Sequence, residues 1–537
     1  METIILAYIC AGIAWLFAFY ISYLFIYKNI SFKRFILLIT LWGAYTHSPL
    51  LAAVDLSGLS DIKVYEAIIF YLLTIVTVVA GYAVAYGVYK VLKILPPPPP
   101  SLKGREPLRG TDPFEFVPLP RREGLGVGVI FIMTLGEYLR GIALSILFLG
   151  GSSHIGVSDA TFSVANALAL TPLSRLAYFG HIYYLTFILF LIIVMIFETH
   201  NRYKKYLSKD TIKKDEKPIQ NKAKSYVNLI LKIKFGDMLT VTKPLILLFI
   251  FIGLQLLYIK YVYYKYHERQ MKLGGVAANI LLIPSDIPMH YDMKNTVAST
   301  TFNKVKSDYQ NQLEQIIKNI NSPYKLNTST SSLQEEIKYD MAILPENVAY
   351  ITSLKSGKDI YKGIPILNGL LNEKEGSVKN SSIYIDSIHN ASNYRDKAYL
   401  FPFYEYKPYV ANLIPDSTYK KGNEIKEGDG VVDFYLEGDG LYKWTTMICS
   451  EFYSYNYLKS LKSHDYDFII SQSSLGIFNH SSWMHANVLL SQIINSNYLA
   501  VPIINVSNSA PSYLIIDNEI KDYHEDAEPF SVNFDKI

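Results

Sequence analysis

At 537 residues the chain is too long for one ordinary domain and long enough for two or three. Half of it is hydrophobic, mean hydropathy is +0.16, and the apolar residues concentrate before about residue 265. A net charge of +4 is too small to imply a nucleic-acid partner.

Residues 4–27 form an apolar run long enough to cross a bilayer as a helix. The run has no basic n-region and no small-residue cleavage site, so it reads as an uncleaved span rather than a signal peptide. Further spans are expected at 35–54, 65–89, 125–149, 173–197 and 244–264, about six in all. The first connection holds Lys28, Lys33 and Arg34, the third holds Lys90, Lys93, Lys103, Arg105, Arg109, Arg121 and Arg122, and the fifth is dense in lysine. The second has Asp55 and Asp61 against Lys63, and the fourth has no Lys or Arg. Basic loops stay cytoplasmic, which puts the N-terminus and everything after the sixth span outside. The proline run 96–100 reads as a stiff spacer in a cytoplasmic loop.

Glu137 and Arg140 lie inside the fourth span. At i,i+3 they share a helix face and can pair. Charges at that depth are costly and face a bundle interior or a polar cavity. A structural lock and a substrate-facing role weigh evenly.

From Ala277 the pattern changes to short strands and amphipathic helices. Strands are expected at 279–283, 341–344, 364–371, 382–386, 431–436, 441–448, 468–471, 500–506 and 513–517, and helices at 300–320 and 480–496. Gly438-Asp-Gly440 signals a hairpin. Strands interleaved with helices argue an α/β layered sandwich.

Three residues in this half carry chemistry. Cys449 closes the apolar run 441–448, where it is held rigidly and still within reach. The other cysteine, Cys10, lies in the first span, so Cys449 is expected to be unpaired. Glu346 follows Pro345 at the end of a buried strand, and Lys397 lies in the polar and aromatic stretch 394–408. A carboxylate within reach of a thiol can take its proton and then serve as acid and base in turn. An ammonium can stabilise a tetrahedral oxyanion, with a backbone N–H beside Cys449 as second donor. Taken singly, each has a bland reading: a small buried hydrophobe, a surface carboxylate, one lysine among many.

Glu, Lys and Cys in this order and these contexts resemble the carbon–nitrogen hydrolase (nitrilase) superfamily, and within it the bacterial apolipoprotein N-acyltransferase family. Residues 394–408 resemble that family's Tyr-Asp-Lys-x-x-Leu-Val-Pro-Phe-Gly-Glu-Tyr-x-Pro, which implies Lys397 as catalytic lysine and Glu405 as second acid. Leu344-Pro-Glu346 resembles Trp-Pro-Glu and implies Glu346 as base; Ile448-Cys-Ser-Glu451 resembles Ile-Cys-Tyr-Glu, implying Cys449 as nucleophile and Glu451 as an essential neighbour. Trp483-Met-His485 is similar to the family's Trp-Gln-His, and Glu137-Tyr-Leu-Arg140 to its Glu-Trp-Leu-Arg, marking Trp483, His485, Glu137 and Arg140 as supporting or substrate-binding. The chain departs from the family at Ser471-Gln-Ser-Ser-Leu-Gly476, where relatives have Ser-Asn-Asp-Ala-Trp-Phe, at Ser450 for Tyr and at Tyr404 for Gly.

The resemblance implies a multi-span α-helical membrane bundle over 1–265 and a nitrilase-like α-β-β-α sandwich over 270–537, on the outer face of a bacterial cytoplasmic membrane. It implies a monomeric acyltransferase without metal or cofactor. An acyl chain would pass from a phospholipid through a Cys thioester to the N-terminal amine of a diacylglyceryl-cysteine lipoprotein. The alternatives are a membrane-anchored amidase with water as acceptor and a non-catalytic lipid- or lipoprotein-binding relative.

Overall fold

The computed structural model describes residues 1–53, 64–94, 124–150, 163–212, 235–272, 278–285, 339–346, 349–350, 365–374, 377–386, 391–402, 405–406, 408–413, 425–428, 430–437, 441–478, 481–526 and 528–533. Among the described residues, six α-helices belong to the first half: α1 Glu2–Lys28, α2 Phe32–His47, α3 Val64–Ile94, α4 Gly124–Leu147, α5 His181–Ile212 and α6 Phe235–Lys272. Five of them, all but α2, contain stretches long and apolar enough to cross a membrane. Helix α6 shows why such a helix suits lipid: Phe249, Leu254 and Leu257 are each more than 60% exposed on it.

Two expected spans need correction. Helix α2 has only 16 residues and passes into a 3₁₀ turn, Ser48–Ala53. At about 1.5 Å per residue the α-helix alone covers less than a hydrocarbon core of about 30 Å, and the 3₁₀ turn that continues it, at about 2 Å per residue, supplies the remaining length. Pro49 has no N–H and cannot continue the α ladder, whereas hydropathy alone runs on through the apolar residues beyond it. The span expected at 173–197 begins as a separate 3₁₀ helix, Pro172–Phe179, and α5 starts after Gly180.

Helices α3 and α4 pack closely, because small residues let the backbones approach. A Cβ on Gly81 would lie 2.5 Å from the Arg140 backbone nitrogen, and one on Gly136 would lie 2.3 Å from the Tyr82 ring. At this crossing Glu137 and Arg140 form a buried pair, with Nε and one terminal nitrogen of Arg140 each 2.9 Å from Oε2. The other carboxylate oxygen accepts from Tyr82 Oη on α3 at 2.9 Å and from Val164 N at 3.2 Å. The carboxylate therefore locks α4 to α3 and to the 3₁₀ turn Val164–Leu168. Of the two roles left open by the sequence, these contacts between helices support the structural one. Arg140→Leu would strand a buried carboxylate, a loss of about 3–5 kcal/mol for such pairs. It is expected to lower the thermal midpoint in detergent far more than Arg202→Leu, which breaks an exposed i,i+4 pair with Glu198. Equal, small shifts would refute the lock.

The second half is a two-sheet sandwich. One sheet holds β1 Asn279–Leu282, β2 Met341–Ile343, β3 Ala349–Tyr350, β4 Ile366–Lys374, β5 Ser377–Asp386, β6 Ala391–Asp396 and β13 Phe530–Asn533, in the order β13-β1-β2-β4-β5-β6 with β3 beside β4. The other holds β7 Phe434–Glu437, β8 Leu441–Ile448, β9 Phe468–Ser474, β10 Ile503–Asn508, β11 Ser512–Ile516 and β12 Glu519–His524, in the order β12-β11-β10-β9-β8-β7. Pairing is parallel through β1, β2 and β4 and through β8, β9 and β10, and antiparallel at the flanks. Alternate residues face inward and meet in one core: Ile280, Ile343, Leu367 and Tyr384 from the first sheet, Trp444, Phe468, Ile470 and Ile504 from the second.

The outer face of the second sheet is covered by α7 Tyr455–Lys462 and α8 Ser482–Leu499. Ile469, Ile503 and Ile515 on that face join one cluster with Leu489 and Ile493 of α8 and with residues of α1 and α5. Helix α8 is buried at every position from Met484 onward, because sheet and helical bundle sandwich it. Strand β9 is buried throughout for the same reason, covered on both faces. Polar contacts join the halves as well: Arg175 forms a bidentate pair with Asp517 at 2.8 and 3.0 Å, and His181 Nε2 donates to Asn495 Oδ1 at 2.9 Å. The N-terminal amine pairs with Glu525, so the start of α1 lies against the sandwich. The helix expected at 300–320, the hairpin turn 438–440 and the proline run 96–100 lie outside the described residues.

Candidate active site

The parallel strands run the same way, so their carboxyl ends lie at one end of the sandwich. Glu346 follows β2, Lys397 follows β6 and Cys449 follows β8. The first two strands are not neighbours, since β4 and β5 lie between them, and β8 belongs to the facing sheet. The three residues meet where the ends of two sheets converge.

Lys397 is 1% exposed and sits between two carboxylates. Its Nζ is 3.0 Å from Glu346 Oε1 and 2.9 Å from Glu405 Oε2. Asn380 of β5 donates from one Nδ2 to both acids, at 2.6 Å to Glu346 and 2.8 Å to Glu405. Glu346 Oε2 has no hydrogen-bond partner among the described residues and remains open to receive a proton. Close approach of β4 fixes the Glu346 backbone: a Cβ on Gly369 would lie 2.6 Å from Glu346 Cα and from Pro345 O. From the facing sheet, Gln472 donates to Leu344 O at 2.5 Å and braces the same loop.

Cys449 opens a 3₁₀ turn, Cys449–Tyr453, with φ of +43°. A non-glycine residue there is strained, by about 1–3 kcal/mol, and persists only when its surroundings enforce it. Glu451 does so. Its carboxylate accepts from Ile448 N at 2.7 Å, from Ala398 N at 2.6 Å and from Arg395 at 2.5 Å. One buried carboxylate thus pins the residue before the thiol and the residue after Lys397. Arg395 in turn donates to Gly430 O at 2.9 Å and stacks on Tyr457 at 4.7 Å.

Electrostatics set the resting state. Burial pushes the Cys449 thiol well above its ordinary pKa; Glu346 and Glu405 add to this, and Lys397 opposes it. The thiol is therefore neutral at rest and needs a base. Burial also raises the Glu346 carboxyl, against the pull of Lys397, which makes it a stronger proton acceptor than an exposed glutamate. Burial opposes the charge on Lys397, but Glu346 and Glu405 outweigh it and hold the ammonium charged. Two acids, one fixed cation and one neutral thiol are what a base-assisted nucleophile with an oxyanion donor requires.

Four further sequence-derived residues make other contacts. Glu137 and Arg140 belong to the α3–α4 lock. Trp483 packs edge-on against Tyr45 of α2 at 5.6 Å. His485 lines a cavity of about 380 Å³, with Glu2, Ser285, Ser509 and Glu525 on its walls. Arg395, Asn380, Gly369 and Gln472 are absent from the sequence-derived set. The first lies inside the 394–408 stretch, two residues before Lys397, so attention to that stretch alone points to it. Gln472 lies in the departing stretch 471–476, and Asn380 and Gly369 carry no local signal.

No protein-family model matches the chain, and no curated protein does. Among solved structures it is similar to the glutamine-dependent NAD+ synthetase of Acinetobacter baumannii, at 16% identity over 48% of this chain and 46% of that one, with a TM-score of 0.32. It is similar to a CN-hydrolase superfamily protein of Xanthomonas campestris that carries an arsenic adduct in its active site, at 10% identity over 48% and 90% of the two chains, TM-score 0.31. An amidase of the nitrilase superfamily from Nesterenkonia matches at 9% identity over 48% and 89%, TM-score 0.30. The match thus spans about half the length of the synthetase.

Proposed function

We propose that the protein is a membrane-bound acyltransferase that moves a fatty acyl chain from a phospholipid, through a thioester on Cys449, to the N-terminal amine of a diacylglyceryl-cysteine lipoprotein. The observation that carries this reading is the buried Glu346–Lys397–Glu405 cluster beside a strained cysteine, in a sandwich whose outer helix packs directly on a bundle of apolar helices. An amidase acting on soluble substrates has no use for that bundle, whereas a donor and an acceptor that both carry lipid tails reside in a bilayer. The motif resemblance supports the same choice.

In the first half-reaction Glu346 takes the thiol proton and Cys449 Sγ attacks the donor ester carbonyl. Lys397 stabilises the oxyanion, and the lysophospholipid leaves with the proton returned by Glu346. In the second, Glu346 accepts a proton from the attacking amine, the thioester C–S bond breaks, and the thiol is restored. The test is intact-protein mass spectrometry after incubation with phospholipid. An acyl mass on Cys449 that is discharged by a diacylglyceryl peptide is expected. Rapid discharge in water with release of free fatty acid would instead favour the amidase, and no adduct with lipid still bound a non-catalytic protein.

The sandwich is further assigned to the outer face of the cytoplasmic membrane, together with the N-terminus. The alternation of basic loops supports this, and so does the contact of the N-terminal amine with Glu525. A cysteine placed at Ser377 is expected to react with an impermeant maleimide in intact cells. Reaction only after permeabilisation would reverse the orientation.

A further inference from the structure

Glu405 and Tyr406 are adjacent in sequence but serve different halves of the molecule. Glu405 turns into the site, where Phe401 N donates to its Oε2 at 2.6 Å and Ile425 N donates to its backbone carbonyl at 2.8 Å. Tyr406 turns the other way. Its ring is fully buried with Leu400 and Ile425. Its hydroxyl donates at 2.6 Å to Phe148 O, one residue past the end of α4. A helix end leaves its last carbonyls without helical donors, and Tyr406 supplies one. Tyr409 N donates to Leu149 O at 2.8 Å, and Pro408 bridges Gly150. Helix α4 is itself fixed to α3 and Val164 through Glu137. An unbroken chain of contacts therefore runs from the bundle to Lys397.

We propose that Tyr406 is a positioning residue that holds the adjacent Glu405 on Lys397 through its own anchor on the end of α4, so that the reactive cluster takes its geometry from the helical bundle. This deepens the acyl-transfer reading and rests on it for the role of the cluster, but not for how the cluster is held. Without the anchor, Glu405 draws back from Lys397. Three charged groups act on Cys449: Glu346, Glu405 and Lys397. Withdrawal of Glu405 removes one repulsive carboxylate from the thiolate and leaves the ammonium less neutralised, and both changes favour the thiolate. The same withdrawal loosens the ammonium that must meet the oxyanion.

The test compares wild type, Tyr406→Phe and Tyr71→Phe as full-length protein in detergent. The phenylalanine keeps the ring in its apolar cluster and removes only the hydroxyl. Tyr71→Phe loses a hydroxyl that donates to Ala44 O at 2.8 Å, outside the chain of contacts to Lys397, and reports general loosening of the bundle. For Tyr406→Phe, the pH midpoint of Cys449 alkylation by iodoacetamide is expected to fall by about 0.5–1 unit, a fraction of the effect of removing a neighbouring charge outright. Its turnover should fall about tenfold, with KM nearly unchanged, as for a lost orienting contact. For Tyr71→Phe the alkylation midpoint should stay at the wild-type value. An unchanged midpoint in Tyr406→Phe, or an equal shift in both variants, would overturn the proposal. Alkylation needs no substrate. A wild-type protein that never acquires an acyl group would sink the acyl-transfer reading and leave this result standing.

Discussion

Glu346→Gln and Lys397→Ala are each expected to abolish most turnover while the domain stays folded. The amide keeps the size of Glu346 and its contact with Asn380 but cannot accept the thiol proton. For a positioned general base that loss is about 10²–10⁴-fold. Because burial raises the Cys449 thiol and leaves it neutral, no standing thiolate compensates. Lys397→Ala acts twice. It removes an oxyanion donor, worth about 10²–10³-fold in a preorganised site. It also leaves Glu346 and Glu405 buried together without their cation, and two such carboxylates relieve the repulsion by taking up a proton. A protonated Glu346 is no longer a base. The check is steady-state kinetics alongside circular dichroism, with phospholipid and a diacylglyceryl peptide as substrates. Near wild-type rates in either folded variant would remove the residue from the mechanism.

Glu451→Ala should act through structure instead. The carboxylate accepts from three donors, on Ile448, Ala398 and Arg395, and Arg395 is 1% exposed. Removing it leaves a guanidinium buried without its counter-charge, a loss of about 3–5 kcal/mol in comparable pairs. It also frees Cys449 from the turn that enforces its positive φ, and the strain then relaxes by rotation away from the site. The expected result is a markedly lower thermal midpoint of the sandwich, together with loss of the acyl adduct on Cys449. Glu451→Gln, which keeps one acceptor, should fall between alanine and wild type. A thermal midpoint equal to wild type in the alanine variant would contradict the bracing role.

How much of this was legible beforehand differs from element to element. Strand β8 was read to the residue, since an apolar run closed at one end by a glycine-rich turn and at the other by a change of composition leaves little choice. The apolar lengths of α1, α3 and α4 were equally plain. Strand β6 was missed because Ala391-Ser-Asn-Tyr-Arg-Asp396 has no alternating apolar face; pairing with β5 makes it a strand. Helix α2 was read too long because hydropathy counts apolar side chains and ignores the missing N–H of Pro49.

At the site, the types of the candidate residues and their places at strand ends point to convergence, but on neighbouring strands; the structure draws them instead from separated strands of two sheets. Glu346, Lys397 and Cys449 follow strands from two sheets, and only the packing of those sheets brings their ends together. Asn380 and Gly369 act at that meeting point yet have no local pattern, and Gln472 lies in a stretch, 471–476, that gives no hint of its role, because each serves a partner far along the chain. The same division holds for Glu137 and Arg140. Their pairing follows from helical spacing, which is a property of four consecutive residues. That the pair locks helices depends on Tyr82 and Val164, which tertiary packing alone brings within hydrogen-bond distance. Hydrophobic period and backbone sterics act over a few residues and are written in the sequence directly. The balance of buried charges is settled only among groups that folding brings into contact.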